Sequence, residues 1–149
     1  MSARVRLDFT SKQLELNGAV IGCFRPQSRT EGALELEGSL CSYLITPISY
    51  GQRITLYRSR RKVAEFESDF HEGINTLRIG EDLTFDLDNA GILYCPKGPA
   101  GTIVFTADDV NMQFNALVPA ESLGLVAALA ALDTMWANLV GFTRTKTQP

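Results

Sequence analysis

From the N-terminus to Pro119, hydrophobic and polar residues alternate along most of the chain. Leu34 and Leu36, for example, flank Glu35. Because successive side chains of a β-strand point to opposite faces, this alternation predicts strands with one face in a core and the other in water. The same pattern recurs at positions 14–16, 83–87 and 110–116. We therefore expect about ten to twelve short strands.

Residues that favour tight turns separate the predicted strands. Asn17-Gly18 and the run 88–91 have the composition of hairpin turns, and the run 96–101 indicates a tight connection before a strand at 102–106. No helical pattern long enough for a βαβ crossover lies between these strands. The order of elements therefore favours an antiparallel sandwich or barrel.

The last part of the chain has a different pattern, because it is apolar on every side. Ser122, or Ala120 with Glu121 in the first turn, can begin a helix that continues to about Val140. Such a helix suits the axis of a closed barrel, one face of an open sheet, or a membrane span. Asp133 and Asn138 disfavour a span because polar groups are costly in a bilayer. A sheet face needs only an apolar stripe, so we predict a β-barrel that encloses the helix.

Composition limits the class of protein. The chain has 149 residues, 45% of them hydrophobic, and a formal charge of −3, which fits one globular domain and gives no electrostatic case for nucleic-acid binding. The N-terminus lacks the apolar segment of a secretory signal, and the polar residues 143–149 predict a disordered tail. We expect a single cytoplasmic domain over residues 1–142, not transmembrane, with a core helix over about 121–140.

The residues that most often bind metals or perform catalysis are few. Cys23, Cys41 and Cys95 have no C-x-x-C spacing and each lies in an apolar segment, which indicates reduced, packed thiols. His71 is the only histidine, so a zinc site would lack ligands and no nucleophile is identifiable beside it. We predict no metal, no cofactor and no catalytic site, and therefore a non-enzymatic protein.

One dense basic cluster occupies a predicted strand, turn and returning strand. It contains five of the fourteen Lys and Arg residues: Arg53, Arg58, Arg60, Arg61 and Lys62. Guanidinium groups at a hairpin tip can hold phosphates through paired hydrogen bonds or approach an anionic membrane surface. The alternative is a solvated turn whose charges keep the hairpin soluble and resist edge pairing.

Acidic residues are concentrated just after this cluster, between positions 65 and 88. We expect them to neutralise part of the cluster across the hairpin. Glu81 and Asp82 follow Gly80 and indicate a turn rather than a cation site, and alternation places Asp86 and Asp88 in solvent.

Asp133 is the most unusual polar residue, because it lies within the apolar helix. A buried carboxylate requires a hydrogen-bonding or charged partner. We expect Asp133 to be a buried structural residue that caps strand or loop backbone at one end of the barrel. Met135 and Trp136, which follow it, are expected to pack in the core or at the barrel opening.

The segment Val118–Leu123 (VPAESL) leads into Leu129–Trp136 (LAALDTMW), an apolar helix with an aspartate in its later half. With about a dozen antiparallel strands before it, this helix resembles the tubby C-terminal-like superfamily, especially its LURP-one-related and phospholipid scramblase members. The resemblance implies a β-barrel around a central helix and, for tubby relatives, phosphoinositide binding by basic residues on the barrel surface. The chain lacks the calcium-binding segment and proline-rich N-terminal extension of scramblases, so calcium dependence and scrambling are not implied.

Three classes of function suit these features. A binding module would recognise anionic phospholipid or phosphoinositide head groups through the basic hairpin, in the cytoplasm or peripherally on a membrane. A protein-interaction or structural domain would dock the same charges on an acidic partner or on its own oligomer. An enzyme or small-ligand carrier would need an open cavity inside the barrel, which an enclosed helix excludes. We predict the binding module.

Overall fold

The computed structural model describes residues 2–69 and 73–139, apart from the side chains of 74 and 135–139. The described part contains twelve strands, one 3-10 turn (Ala120–Ser122) and one α-helix, α1 (Leu123–Leu139). The strands are β1 (Ala3–Asp8), β2 (Gln13–Leu16), β3 (Ala19–Pro26), β4 (Glu31–Leu36), β5 (Ser39–Ile48), β6 (Gly51–Arg58), β7 (Arg61–Asp69), β8 (Ile74–Ile79), β9 (Leu83–Leu87), β10 (Ile92–Cys95), β11 (Gly98–Phe105) and β12 (Asp109–Phe114).

Every strand pairs antiparallel with its neighbours in sequence, and β1 also pairs with β12, so the sheet closes into a barrel. Closure removes the exposed strand edges that invite aggregation. The predicted antiparallel barrel of about ten to twelve strands with a C-terminal helix is therefore confirmed. The turns β2–β3, β4–β5, β6–β7, β8–β9 and β10–β11 lie at one end of the barrel together with the entry of α1, and we call this end the barrel mouth.

The closing pair β1–β12 is held by more than its backbone hydrogen bonds. Arg6 Nε donates to Asp109 Oδ2 across the pair at 2.8 Å. Burial alone would raise the pKa of Asp109, but hydrogen bonds from Arg6, Thr106 and Asn111 outweigh it and lower that pKa. The contribution of Asp109 to stability is thus present above the ordinary Asp pKa of about 4 and is lost as the pH falls through the folded value.

Helix α1 is enclosed by the barrel. From Leu123 to Thr134 every side chain is buried except that of Leu125, which is half-buried. The helix packs against β6, β7, β8 and β12. Small residues allow this fit, because Ala127, Ala128 and Ala131 leave room for the inward Leu and Phe side chains of the strands. Asp133 is only 1% exposed, as an enclosed helix requires.

Among residues 2–69 and 73–139, no helix has the length and apolarity needed to cross a membrane. The α-helix begins at Leu123, just after the predicted starts at positions 120–122, because a 3-10 turn occupies Ala120–Ser122. The predicted helix end at Val140 and the predicted tail 143–149 lie outside the described residues.

Two strand boundaries differ from the sequence-based prediction. Strand β11 begins at Gly98 rather than at Thr102, because the irregular register around Tyr94 lets Pro99 enter the sheet. Strand β12 ends at Phe114, so Ala116 is exposed in the connection to the helix rather than directed into the core.

Candidate functional site

The basic hairpin is tighter than its sequence suggested. The turn consists of only Ser59 and Arg60, while Arg58, the last residue of β6, pairs with Arg61, the first residue of β7. Ser59 and Arg60 have φ values of 53° and 65°. Two-residue hairpin turns with positive φ at both positions favour Asn-Gly, as at Asn17-Gly18 in this chain. A Ser-Arg turn is therefore locally strained.

Arg58 lies on the inner side of the barrel wall. Along β6 the buried positions Gln52, Ile54 and Leu56 alternate toward the core, and Arg58 continues this series at the mouth. Its partner on β5 is the buried Cys41, and its partner on β7 is Arg61. Like charges directly opposite each other destabilise a strand pair. The Arg58–Arg61 pair is therefore expected to lower the stability of the hairpin.

The five basic residues of the predicted cluster fall into two groups. Arg53 Nε lies 3.7 Å from carboxylate oxygens of both Glu65 and Glu67, and Lys62 Nζ lies 3.5 Å from Glu65. Acidic residues of β7 therefore neutralise two members of the cluster, and Glu65 and Glu67 also pair with Arg78 of β8, at 3.4 and 3.2 Å.

The other three residues, Arg58, Arg60 and Arg61, have no ion pair within the described part of the chain. The Nε atoms of Arg53 and Arg58 are both buried without a hydrogen-bond acceptor there, but Arg53 has two carboxylates at 3.7 Å whereas Arg58 has no ion pair. A buried donor without an acceptor costs about 1–3 kcal/mol. The unpaired positive charge is thus concentrated at the tip of the hairpin.

Two of these arginines, Arg58 and Arg61, line a cavity of about 740 Å³ at the barrel mouth. The lining also contains the basic Lys62 and the acidic Glu81, Asp82 and Glu121. Its apolar side chains are those of Val63, Ile79, Leu83, Pro119 and Leu125. Ser122, directly before the first turn of α1, also faces the cavity.

The first turn of α1 already has a carboxylate beside it. A Cβ atom built on Gly124 would collide with the carboxylate of Glu37 from the β4–β5 turn, so that carboxylate lies directly against the helix start. An acidic group is favourable at a helix N-terminus because of the helix dipole. A ligand anion is therefore expected on the arginine side of the cavity rather than at the helix start.

Asp133 is the centre of a buried polar cluster on the helix. Gln52 Nε2 donates to its Oδ1 at 2.8 Å and Ser68 Oγ donates to the same oxygen at 2.7 Å. Asp133 is buried, as expected, but these contacts come from strand side chains rather than from strand or loop backbone. Gln52 and Ser68 are fully buried, and sequence reasoning missed them. The sequence signal that could have identified them is a polar residue at a position where the alternation of the strand predicts a core side chain.

The remaining candidates have structural contacts or lie outside the description. Asp86 accepts a hydrogen bond from Thr76 at 3.2 Å, and Asp88 accepts from the backbone of the turn that follows it. His71 lies outside the described residues, as do the side chains of Met135 and Trp136. The three cysteines are free thiols, and the described residues hold no group of three His, Cys, Asp or Glu side chains arranged for a metal ion.

No protein-family model, curated protein or solved structure is significantly similar to the chain. The resemblance to the tubby C-terminal-like superfamily therefore stays a prediction.

Proposed function

We propose that this protein is a non-enzymatic binding module that holds a phosphate-bearing anionic ligand, such as a phospholipid or phosphoinositide head group, at the barrel mouth. The observation that carries the proposal is the Arg58–Arg61 pair. Arg58 and Arg61 lie opposite each other in the strand register at a strained turn, both line a cavity, and neither has an ion pair in the described residues.

Three separate costs coincide in this hairpin, and an anion would relieve two of them. A phosphate between Arg58 and Arg61 would replace charge repulsion with attraction on both sides. It would also give the buried Nε of Arg58 an acceptor. Arginine suits this role because its planar group binds phosphate oxygens in pairs. The anion would not relieve the backbone strain of the Ser59-Arg60 turn. Strained backbone is common at sites where it fixes a functional side chain.

The packing of the barrel supports a surface site over an interior one. Helix α1 occupies the inside of the barrel with buried side chains from Leu123 to Thr134, apart from the half-buried Leu125. A carrier that encloses its ligand needs an open interior instead. Arg53 and Lys62, which the sequence placed in the same cluster, are held by Glu65 and are expected to contribute less to binding.

The experiment is sedimentation of the full chain with phosphatidylcholine vesicles that either contain or lack a phosphoinositide. The variant R58Q/R61Q is compared with R4Q/R29Q, which removes the same charge from two exposed arginines that also lack ion pairs in the described residues. We expect phosphoinositide-dependent binding to fall about tenfold or more for R58Q/R61Q, because two bidentate contacts are lost. Binding of the control should stay within about twofold of the original protein.

Equal binding by R58Q/R61Q and the original chain would overturn the proposal. An equal loss in both variants would overturn it as well, since net charge rather than the hairpin would then control binding. Titration with soluble inositol trisphosphate, followed by calorimetry, separates recognition of the phosphate itself from adsorption to a membrane.

A further inference from the structure

Two exposed apolar side chains lie at the barrel mouth, Leu40 on the strand beside the basic hairpin and Val20 two strands farther along the sheet. Leu40 of β5 is 67% exposed and Val20 of β3 is 55% exposed. Single exposed apolar residues are common on protein surfaces and need no explanation. Their position relative to the unpaired arginines is the feature that calls for one.

The strand register places these residues on neighbouring turns. Cys41 pairs with Arg58, so Leu40 is level with Ser59 of the hairpin turn. Gly22 of β3 pairs with Leu36 of β4. Val20, two residues before Gly22, is therefore level with Gly38 at the tip of the β4–β5 turn. Val20, Leu40 and Arg60 therefore follow one another along one arc of the barrel mouth, which we call the apolar rim.

The acidic residues next to the apolar rim have basic or helix-start neighbours that offset their charge. Glu15, the cross-strand partner of Val20, lies opposite Arg6 in the β1–β2 pair and interacts with it electrostatically. Glu35 is the cross-strand partner of Leu40, and its carboxylate is paired with Arg25 at 2.8 Å. The carboxylate of Glu37 is turned toward Gly124 at the start of the helix. Arg60 is exposed and has no ion pair in the described part of the chain. An apolar edge beside unpaired basic groups is complementary to a bilayer, whose surface is anionic and whose interior is apolar.

We propose that the apolar rim docks on an anionic phospholipid bilayer, with Leu40 and Val20 inserted at the boundary between head groups and acyl chains. This inference rests on the proposed function, because Arg58 and Arg61 then hold a lipid phosphate at the same edge. The rim adds affinity only when the phosphate belongs to a membrane, since a soluble ligand offers nothing for Leu40 and Val20 to enter.

The first test separates the rim from the phosphate site. The variant V20S/L40S is expected to bind anionic vesicles about tenfold more weakly than the original chain, because two apolar side chains no longer leave water. Its affinity for soluble inositol trisphosphate should not change. R58Q/R61Q should lose both activities, so failure of the rim and failure of the phosphate site give different results. Unchanged vesicle binding by V20S/L40S would overturn the inference, and so would a parallel loss of inositol trisphosphate binding.

The second test measures insertion directly. Leu40 and Leu44 are both exposed on β5, and Leu44 lies about 13 Å farther from the mouth along the strand. Tryptophan fluorescence of L40W and L44W is recorded with anionic vesicles whose acyl chains carry bromine, a contact quencher, and the signal of the original chain is subtracted. We expect quenching of L40W and none of L44W. Equal quenching of both variants, or of neither, would contradict insertion through the rim.

Discussion

Asp133 lies inside the barrel and Arg58 lies at its mouth, and the two charged groups have very different surroundings. The carboxylate of Asp133 accepts hydrogen bonds from Gln52 and Ser68 in a fully buried setting. Arg58 lies opposite another arginine in the strand register and keeps a buried N–H without an acceptor in the described residues. Satisfied polar groups stabilise a fold, whereas unsatisfied ones lower its stability. Asp133 has the donors that a buried carboxylate requires, although Gln52 Oε1 in the same cluster has no donor among the described residues. These contacts fit a structural role for Asp133, and the unpaired arginines are the basis of the binding role that we propose for the hairpin.

The largest expected effect tests the structural side of this comparison. D133A should lower the free energy of unfolding by about 2–4 kcal/mol, because the buried donors of Gln52 and Ser68 would lose their acceptor. Urea denaturation at neutral pH measures this change. D133N keeps the shape and one acceptor oxygen, so it should cost less than half as much. A loss below about 0.5 kcal/mol for D133A would remove the structural role.

The next prediction concerns how tightly the barrel holds its helix. Ala128 is fully buried between helix and strands, so A128L should lower the free energy of unfolding by about 1–3 kcal/mol through overpacking. A107L, in the exposed β11–β12 turn, is the matched control and should change stability by less than about 0.5 kcal/mol. The two are compared by denaturation under the same conditions, and equal effects would contradict an enclosed helix.

At the mouth, relieving strain should stabilise the protein. The double change S59N/R60G gives the turn the Asn-Gly sequence that its positive φ values favour, and should raise the free energy of unfolding by about 1 kcal/mol. The reciprocal change N17S/G18R in the β2–β3 turn should lower it by a similar amount. Thermal unfolding measures both. Destabilisation by S59N/R60G would show that the Ser-Arg turn is not strained.

The smallest effect separates two neighbouring charges of the same hairpin. R61Q removes the like-charge pair with Arg58 and should raise the free energy of unfolding by about 0.2–1 kcal/mol. K62Q removes a favourable contact with Glu65 and should lower it by up to about 0.5 kcal/mol. High-precision urea titrations at low salt decide the sign of each change. If both variants change the free energy of unfolding in the same direction, the distinction between ion-paired and unpaired members of the cluster is wrong.

Much of the fold followed from local patterns in the sequence. Alternation identified strands such as Glu31–Leu36 and Leu83–Leu87, because side-chain direction in a strand depends only on position along it. The segment 96–101 was harder, because Gly and Pro suggested a turn while the neighbouring strand drew Pro99 into the sheet. Such pairing depends on residues from another strand and cannot be derived from the segment itself.

The candidate site was predicted less completely than the fold. The five basic residues were identified together because they are close in sequence. Their division into paired and unpaired groups depends on which side of the wall each strand position faces and on Glu65 and Glu67 of the returning strand. The acidic residues of the cavity come from the β8–β9 turn, which the pairing of β7 with β8 brings beside the hairpin, and from the approach to the helix, which is distant in sequence.

The sequence by itself determined the strand pattern, the apolar C-terminal helix and the need for Asp133 to find a partner, because each follows from the hydrophobicity and spacing of nearby residues. Only the tertiary structure decided that β1 pairs with β12 and that Gln52 and Ser68 donate hydrogen bonds to Asp133. It also decided that Arg58 lies opposite Arg61 at the barrel mouth. These outcomes depend on the registers of strands that are paired around a closed ring, and register is a property of the whole sheet rather than of any one segment.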